Sequence, residues 1–207
     1  MTRIGGIVLC GGESTRMGRP KMSLPFGPET MLQRVVRIVS SVVNPVTVVA
    51  APTQTLPNLP EDVSVTYDDI PGMGPLAGLA AGLSRLKREN VEAAYVSSCD
   101  VPLLKPEFIR TLVEQIDSCE LVIVRDGRYY HPLAAVYRVD VLDRVRQLLD
   151  ENRLRPIFLI ESVKTICLDP ETLRNVDPEL HSLQNLNTPE DYQQALQDAG
   201  LDDSTLD

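Results

Sequence analysis

The chain has 207 residues, of which 43% are hydrophobic and 24% charged, an ordinary composition for one globular domain with a sizeable core. No apolar stretch approaches the roughly 20 residues of a membrane span, and no secretion signal is visible, so we expect a cytoplasmic protein without a membrane partner. Much of the net charge of -9 comes from residues 175–207, which hold eight acids and no Lys or Arg, and this argues against a nucleic-acid partner.

Strand and helix patterns alternate along the chain. Short apolar runs predict strands, and apolar residues at helical spacing predict helices. The predicted strands are Ile4–Leu9, Val46–Ala50, Val63–Tyr67, 93–97, 121–124, 133–138 and 163–168. The predicted helices are 30–43, one that begins at Gly74-Pro75, 106–116, 141–149 and 188–197. This alternation predicts a single α/β domain over residues 1–200, with a mostly parallel sheet flanked by helices on both faces. Residues 201–207 are predicted to form a frayed acidic tail.

Two further features of the composition describe the ligand and the compartment. The four cysteines are far apart in sequence and have no His at ligand spacing, which disfavours a zinc site or a disulfide framework and fits a reducing cytosol. The first 40 residues carry six Lys or Arg against two Glu. A locally basic segment in an acidic chain suits a small anionic ligand.

A glycine-rich segment follows the first predicted strand, with the sequence LCGGESTRMGRPK over residues 9–21. Gly11 and Gly12 allow backbone N–H groups to approach a ligand closely and to surround an anion. Neither a Walker A loop nor a dinucleotide fingerprint is present. We expect this segment to hold a nucleotide and Lys21 to neutralise the charge that develops during transfer, and Arg16 is a further candidate catalytic residue. The alternative is a turn with solvated cations.

Asp100 comes at the end of the strand predicted over 93–97, within the sequence SSCDVPL. Mg²⁺ prefers one or two carboxylates together with phosphate oxygens and water. A single Asp beside a phosphate-binding loop meets that preference, so Asp100 is our candidate metal ligand. The alternative is that Asp100 only caps the turn before Pro102.

Three other polar segments allow both a functional and a structural interpretation. Asp68 and Asp69 could contact ribose or metal, or could be turn residues. His131 follows an Asp-Gly turn and is more often structural in such a place. Arg128, Arg153 and Arg155 could face an anionic acceptor or could simply be solvated. Residues 185–191, NLNTPED, contain the start signal of a helix, and their asparagines had no assigned role.

Four segments together resemble the nucleotidyltransferases of the molybdenum cofactor guanylyltransferase (MobA) family. They are the glycine-rich segment 9–21, the segment 68–78 with Asp and Gly-Pro-Leu-Ala-Gly, the Cys-Asp-x-Pro of 99–102, and NLNTPED at 185–191. They occur in the family's order and extend over essentially the whole chain. The resemblance implies a Rossmann-like fold and transfer of GMP from GTP to molybdenum–molybdopterin, with release of diphosphate.

The resemblance also implies roles for individual residues. Leu9, Cys10 and Gly11 would contact GTP through the backbone, and Gly12 lies in the same loop. The other positions are Lys21 for phosphate, Asp68 for the nucleotide, and Asp100 for Mg²⁺ and the nucleotide. Molybdoenzymes or cofactor-delivery proteins are the protein partners that such an activity suggests.

Three positions depart from the family's pattern. Cys10 replaces the usual alanine. Pro20 precedes Lys21 at a position where Asp is commoner in the family, and a Pro-Lys pair also occurs in related cytidylyltransferases. Residues 50–54 lack the Asn that often contacts the nucleotide. A cytidylyltransferase acting on molybdopterin and a sugar-phosphate nucleotidyltransferase therefore remain alternatives. A nucleotide-binding domain without catalysis is a third, although the presence of Arg16, Lys21 and Asp100 together argues against it.

Overall fold

The computed structural model describes residues 2–10, 20–68 and 73–201. Its helices and strands follow one another in the order β1 Ile4–Leu9, β2 Pro25–Phe26, β3 Glu29–Thr30, α1 Met31–Ser40, β4 Val46–Ala50, β5 Val63–Tyr67, α2 Pro75–Lys87, β6 Ala93–Ser98, α3 Pro106–Val113, β7 Leu121–Asp126, β8 Tyr129–Arg138, α4 Leu142–Asp150, α5 Ile157–Ile160, β9 Thr165–Leu168 and α6 Pro189–Asp198. Within these described ranges, no helix is both long and apolar enough to cross a membrane.

Seven of the strands form one sheet in the order β5-β4-β1-β6-β8-β7-β9. Strands β5, β4, β1 and β6 are parallel to one another, and β9 is parallel to β7. Strand β8 runs antiparallel to both of its neighbours, β6 and β7. The predicted mostly parallel sheet is confirmed. In such a sheet ligands bind beyond the carboxyl ends of the parallel strands, here β1, β4 and β6.

Helices cover both faces of the sheet, as predicted. One buried cluster joins α1 and α3 to side chains such as Val8, Val48 and Tyr95. A second cluster joins α2, α4 and α5 to the opposite face, where Ile7 and Val96 point. Neighbouring residues of one strand thus serve two cores, because successive side chains of a strand alternate between the faces. The central strands are buried on both sides, which explains their continuous apolar runs.

Two glycines allow the helices to approach β1 closely. A Cβ atom on Gly6 would lie 2.5 Å from Cγ1 of Val39 in α1. A Cβ atom on Gly82 in α2 would lie 2.7 Å from Cγ2 of Ile7. Side chains at these positions would push both helices away from the strand that leads into the glycine-rich segment.

The C-terminal part of the chain returns to the carboxyl edge of the sheet. A third buried cluster packs Tyr192 and Leu196 of α6 against Phe26 and Met31, and the Tyr192 hydroxyl donates to the Pro25 carbonyl. Leu201 packs on Gly27. The remainder of the predicted acidic tail, 202–207, lies outside the described residues.

A buried carboxylate fixes the segment that precedes α6. Asp177 is fully buried; its Oδ2 accepts from the Ser182 N–H at 2.8 Å, and its Oδ1 pairs with the Lys105 ammonium at 3.1 Å. Burial by itself would raise the pKa of Asp177, but the Ser182 hydrogen bonds and Lys105 outweigh burial and lower that pKa below its ordinary value. The pair joins the turn after β6 to the C-terminal segment.

The sequence located the main elements correctly but not all of their ends. The helix predicted over 30–43 ends at Ser40, and the strand predicted over 133–138 begins earlier, at Tyr129. Strand β8 is longer because it pairs with β7 across the Asp126-Gly127 turn, where Gly127 has a φ of 55°. The short hairpin β2–β3 and helix α5 were not predicted, because segments of two to four residues show no periodicity.

Replacement of Asp177 by Ala should lower the free energy of unfolding by about 2–4 kcal/mol, because it leaves the Ser182 N–H and the Lys105 ammonium without their partner. Urea denaturation measures this change. The matched control is Glu171→Ala, which breaks the exposed pair with Arg174 and should change the free energy of unfolding much less, because water screens an exposed pair.

The same comparison has a pH dependence. A carboxyl whose pKa is lower in the folded state stabilises the fold above its unfolded value of about 3.9 and loses that contribution as the pH falls through the folded value. The difference between the wild type and Asp177→Ala should therefore shrink below about pH 4. A difference that stays constant from pH 7 to pH 3 would contradict this assignment.

Candidate active site

The carboxyl ends of β1 and β6 bring the first two predicted motifs together. The Cys99 N–H donates to the Leu9 carbonyl at 3.0 Å, one step beyond the last paired residues of the two strands. Cys10 and Asp100 therefore leave the sheet side by side. Leu9, Cys10 and Asp100 are all buried.

Asp100 is held from three directions. Its Oδ2 accepts from the Lys21 ammonium at 2.8 Å, and its Oδ1 accepts from the Asn185 amide at 2.7 Å. Its backbone carbonyl accepts from the Leu186 N–H at 2.9 Å. Only 12% of the Asp100 side chain is exposed, so the carboxylate has a fixed orientation in a partly dry setting.

Lys21 approaches from the end of the glycine-rich segment. It begins a short 3-10 helix, Lys21–Ser23, in which the Ser23 N–H donates to the Pro20 carbonyl at 3.0 Å. Its ammonium lies 2.8 Å from Asp100 Oδ2 and also donates to Asn187 Oδ1 at 2.9 Å. Lys21 and Asp100 are 79 positions apart in sequence, and the fold brings them together as an ion pair.

The asparagines of the NLNTPED segment belong to this site. The sequence interpretation assigned them no role. Asn185 donates to Asp100 Oδ1 and also to Ser98 Oγ at 3.1 Å. Asn187 accepts from Lys21 and donates to the Asn185 carbonyl at 3.3 Å. Their spacing was the available signal, because residues two apart in an extended segment point to the same side.

The rest of that segment is a helix start, as predicted. The Thr188 hydroxyl accepts from the Asp191 N–H, and the Asp191 carboxylate accepts from the Thr188 N–H, forming a capping box. Asp191 also accepts from the Asn187 N–H at 2.9 Å. Hydrogen bonds from Asn187 and Thr188 lower the pKa of Asp191. The cap thus fixes the backbone from which Asn187 reaches Lys21.

The loop after β4 supports the start of the glycine-rich segment. The Gln54 amide donates to the Cys10 carbonyl at 3.0 Å, and the Cys10 N–H donates to the Val49 carbonyl at 2.8 Å. Gln54 is fixed in turn by the Ala51 N–H, which donates to its Oε1 at 2.8 Å. Residues 50–54 lack the Asn that is common in the family, but Gln54 supplies a side-chain amide that holds the Cys10 carbonyl.

Other predicted residues lie elsewhere or outside the described part of the chain. Asp68 follows β5, and its N–H donates to the Ala50 carbonyl at 2.9 Å, so it lies on the same sheet edge but two strands away from β1. Gly11, Gly12, Arg16 and Asp69 lie outside the described residues. His131 is part of β8, where burial lowers its pKa and favours the neutral ring.

The donor set around the Lys21 ammonium fits a divalent metal of the hard type. The ammonium contacts a carboxylate oxygen of Asp100 and an amide oxygen of Asn187, both kinds of oxygen that Mg²⁺ accepts as ligands. Among the residues described, no group of three or more His, Cys, Asp or Glu could hold a metal by itself. A metal here would thus need oxygens from a ligand as well, as is usual for Mg²⁺ with nucleotides.

Comparison with known proteins agrees with this geometry. Residues 6–165 match the family described as "MobA-like NTP transferase domain". A "Probable molybdenum cofactor guanylyltransferase" of Mycobacterium tuberculosis (strain H37Rv) is 39% identical over 181 residues, which is 84% of this chain and 89% of the relative. The protein with the same description in Mycobacterium avium (strain 104) is 36% identical over 193 residues, 91% of this chain and 93% of the relative.

Solved structures show the same fold. The structure of molybdopterin-guanine dinucleotide biosynthesis protein A from Archaeoglobus fulgidus superposes with a TM-score of 0.78 at 22% identity, covering 95% of this chain and 98% of that one. The expected Rossmann-like architecture and the expected family are both confirmed. The chain is a nucleotidyltransferase that belongs to the MobA-like family, together with relatives described as molybdenum cofactor guanylyltransferases.

Proposed function

We propose that this protein transfers GMP from GTP to molybdenum–molybdopterin, giving the guanine dinucleotide form of the cofactor and diphosphate. The observation that carries the proposal is the group formed by Lys21, Asp100 and Asn187 at the carboxyl edge of the sheet. It is supported by the curated relatives, each of which is described as a "Probable molybdenum cofactor guanylyltransferase". The product suggests molybdoenzymes or cofactor-delivery proteins as later partners, in the cytoplasm.

The chain's own residues act mainly by position and charge. In the proposed complex the Lys21 ammonium binds phosphate oxygens of GTP, and the acceptor's terminal phosphate attacks the α-phosphorus in line. Asp100 and Asn187 would hold Mg²⁺. When bound, the ion would neutralise charge on the phosphate oxygens during transfer. Asn185 keeps the Asp100 carboxylate in one orientation.

The nucleotide's base and ribose are assigned to the start of the glycine-rich segment and to Asp68. The carbonyls of Leu9 and Cys10 already accept one hydrogen bond each, from Cys99 and from Gln54. A carbonyl oxygen has two lone pairs, so each can accept a second bond from a base. The Cys10 side chain is buried in the cluster with α1, which is consistent with a role through the backbone alone. Gly11, Gly12 and Arg16 complete the proposed nucleotide grip.

A choice between GTP and CTP tests the proposal most simply. Incubation of the protein with molybdenum–molybdopterin, MgCl₂ and one nucleotide should give diphosphate and a dinucleotide product with GTP, and at least about tenfold less with CTP, since the base pocket distinguishes the two by hydrogen bonding. Mass spectrometry identifies the product. Product from CTP but not from GTP would favour a cytidylyltransferase acting on molybdopterin. Product only with a sugar phosphate as acceptor would favour a sugar-phosphate nucleotidyltransferase.

Replacement of Asp100 by Asn keeps the size of the side chain and removes its charge. The expected result is a loss of kcat for diphosphate release of about 100-fold or more, because the proposed metal ligand and the partner of Lys21 are lost together. The matched control is Asp126→Asn, at the exposed end of β7. Equal, wild-type rates for the two variants would refute the metal role, whereas no diphosphate release even by the wild type would favour a binding domain without catalysis.

Asn185 is a positioning residue in this proposal, and Asn185→Leu tests it. The variant keeps the shape but loses the donor to Asp100, so kcat should fall about 10–100-fold while KM for GTP changes little. Exposed Asn175→Leu is the control. If kcat and KM are both unchanged in Asn185→Leu, the Asn185 contact has no part in orienting the carboxylate.

A further inference from the structure

The Lys21 ammonium lies between the two protein oxygens that the proposed function gives to the metal. It is 2.8 Å from Asp100 Oδ2 and 2.9 Å from Asn187 Oδ1. We propose that the Lys21 ammonium takes the place of the metal in the nucleotide-free protein. It stays on these two oxygens until a nucleotide draws it onto the phosphates. This inference rests on the proposed function for the identity of the ligands.

The ammonium and a divalent ion exclude each other at this place. Mg²⁺ binds oxygen at about 2.0–2.1 Å, so an ion that contacted both Asp100 Oδ2 and Asn187 Oδ1 would need the place where the ammonium now lies. Two cations that share one carboxylate oxygen also repel each other, and the repulsion is strong where little of the site is exposed to water. The metal can therefore bind Asp100 Oδ2 only after Lys21 has moved.

The other oxygen of Asp100 offers no easy alternative. Asp100 Oδ1 accepts from the Asn185 amide, which is also bonded to Ser98 Oγ. The Leu186 N–H holds the Asp100 backbone in place. Rotation of the carboxylate toward another position would break its bond with the Asn185 amide. Oδ2 is consequently the oxygen for which Lys21 and the metal compete.

Competition of this kind couples the metal to the nucleotide. A phosphate group that attracts Lys21 uncovers Asp100 Oδ2 and Asn187 Oδ1, so nucleotide binding raises the affinity for the metal. By linkage, the metal raises the affinity for the nucleotide by the same factor. The nucleotide-free protein binds the metal weakly, and Lys21 contributes both to phosphate binding and to the order in which the ligands assemble.

The test is the affinity of the nucleotide-free protein for Mn²⁺, a paramagnetic probe that accepts the same oxygen ligands, measured by electron paramagnetic resonance. Lys21→Met should tighten Mn²⁺ binding by roughly tenfold or more, because the competing charge is removed from the site. Lys87→Met is the matched control: it makes the same change of net charge at an exposed position near the end of α2 and should leave the affinity unchanged.

Two further variants keep the test decisive. Asn187→Leu should weaken Mn²⁺ binding in the Lys21→Met background, since it removes the amide oxygen. Lys21→Gln replaces Lys21→Met if circular dichroism shows that the latter is unfolded. Mn²⁺ binding that is unchanged or weaker in the folded Lys21 variants would overturn the inference. Because this measurement needs no GTP or acceptor, a failed transfer assay and a failed Mn²⁺ assay are distinguishable.

For Lys21→Met, the expected change in GTP affinity is opposite to the expected change in Mn²⁺ affinity. Binding of GTP to the metal-free protein should be weaker in Lys21→Met, because the phosphates lose a cation, while the dependence of that binding on Mn²⁺ should also decrease. A purely structural role for Lys21 would lower both affinities together. Tighter Mn²⁺ binding with weaker GTP binding is the signature that separates the two cases.

Discussion

The ion pair between Lys21 and Asp100 is the interaction on which the organisation of this site depends. It joins the end of the glycine-rich segment to the end of β6 across 79 residues of sequence. Because only 17% of the Lys21 side chain and 12% of the Asp100 side chain are exposed, the pair is screened less by water than a surface pair. Both members have further partners, so the pair has a defined geometry.

The C-terminal segment supplies those partners, and the fold is arranged to keep it there. The buried Asp177–Lys105 pair ties the segment to the turn after β6, and the capping box of α6 fixes the backbone at Thr188. Between these two anchors, Asn185 and Asn187 reach the central pair. Residues far from the chemistry in sequence thus determine the orientation of the one carboxylate proposed to bind metal.

The sequence was sufficient for the architecture and for half of the site. Apolar runs that are buried on both faces predicted the parallel strands, and motifs placed directly after strands predicted that Asp100 lies beside the glycine-rich segment. It was not sufficient for Asn185 and Asn187, because an Asn before an N-cap has an adequate local explanation. Asp100 lies 85 residues from its partner Asn185, and Lys21 lies 166 residues from its partner Asn187. Only the completed sheet brings these residues together.

The same limit explains the missed role of Gln54. Its side chain bonds to the carbonyl of Cys10, a contact that depends on the pairing of β4 with β1 rather than on any local pattern. Short elements such as α5 were missed for a different reason, since four residues cannot show a helical period.

If one pair of oxygens serves first Lys21 and then the metal, the ammonium must leave both oxygens when nucleotide and Mg²⁺ bind. The decisive measurement is a crystal structure of the protein with a non-hydrolysable GTP analogue and Mg²⁺. We expect Mg²⁺ bound to Asp100 Oδ2 and Asn187 Oδ1 at about 2.1 Å, with the Lys21 ammonium on the phosphates. Mg²⁺ bound elsewhere, with the Lys21–Asp100 pair intact beside the nucleotide, would show that the oxygens are not shared in this way.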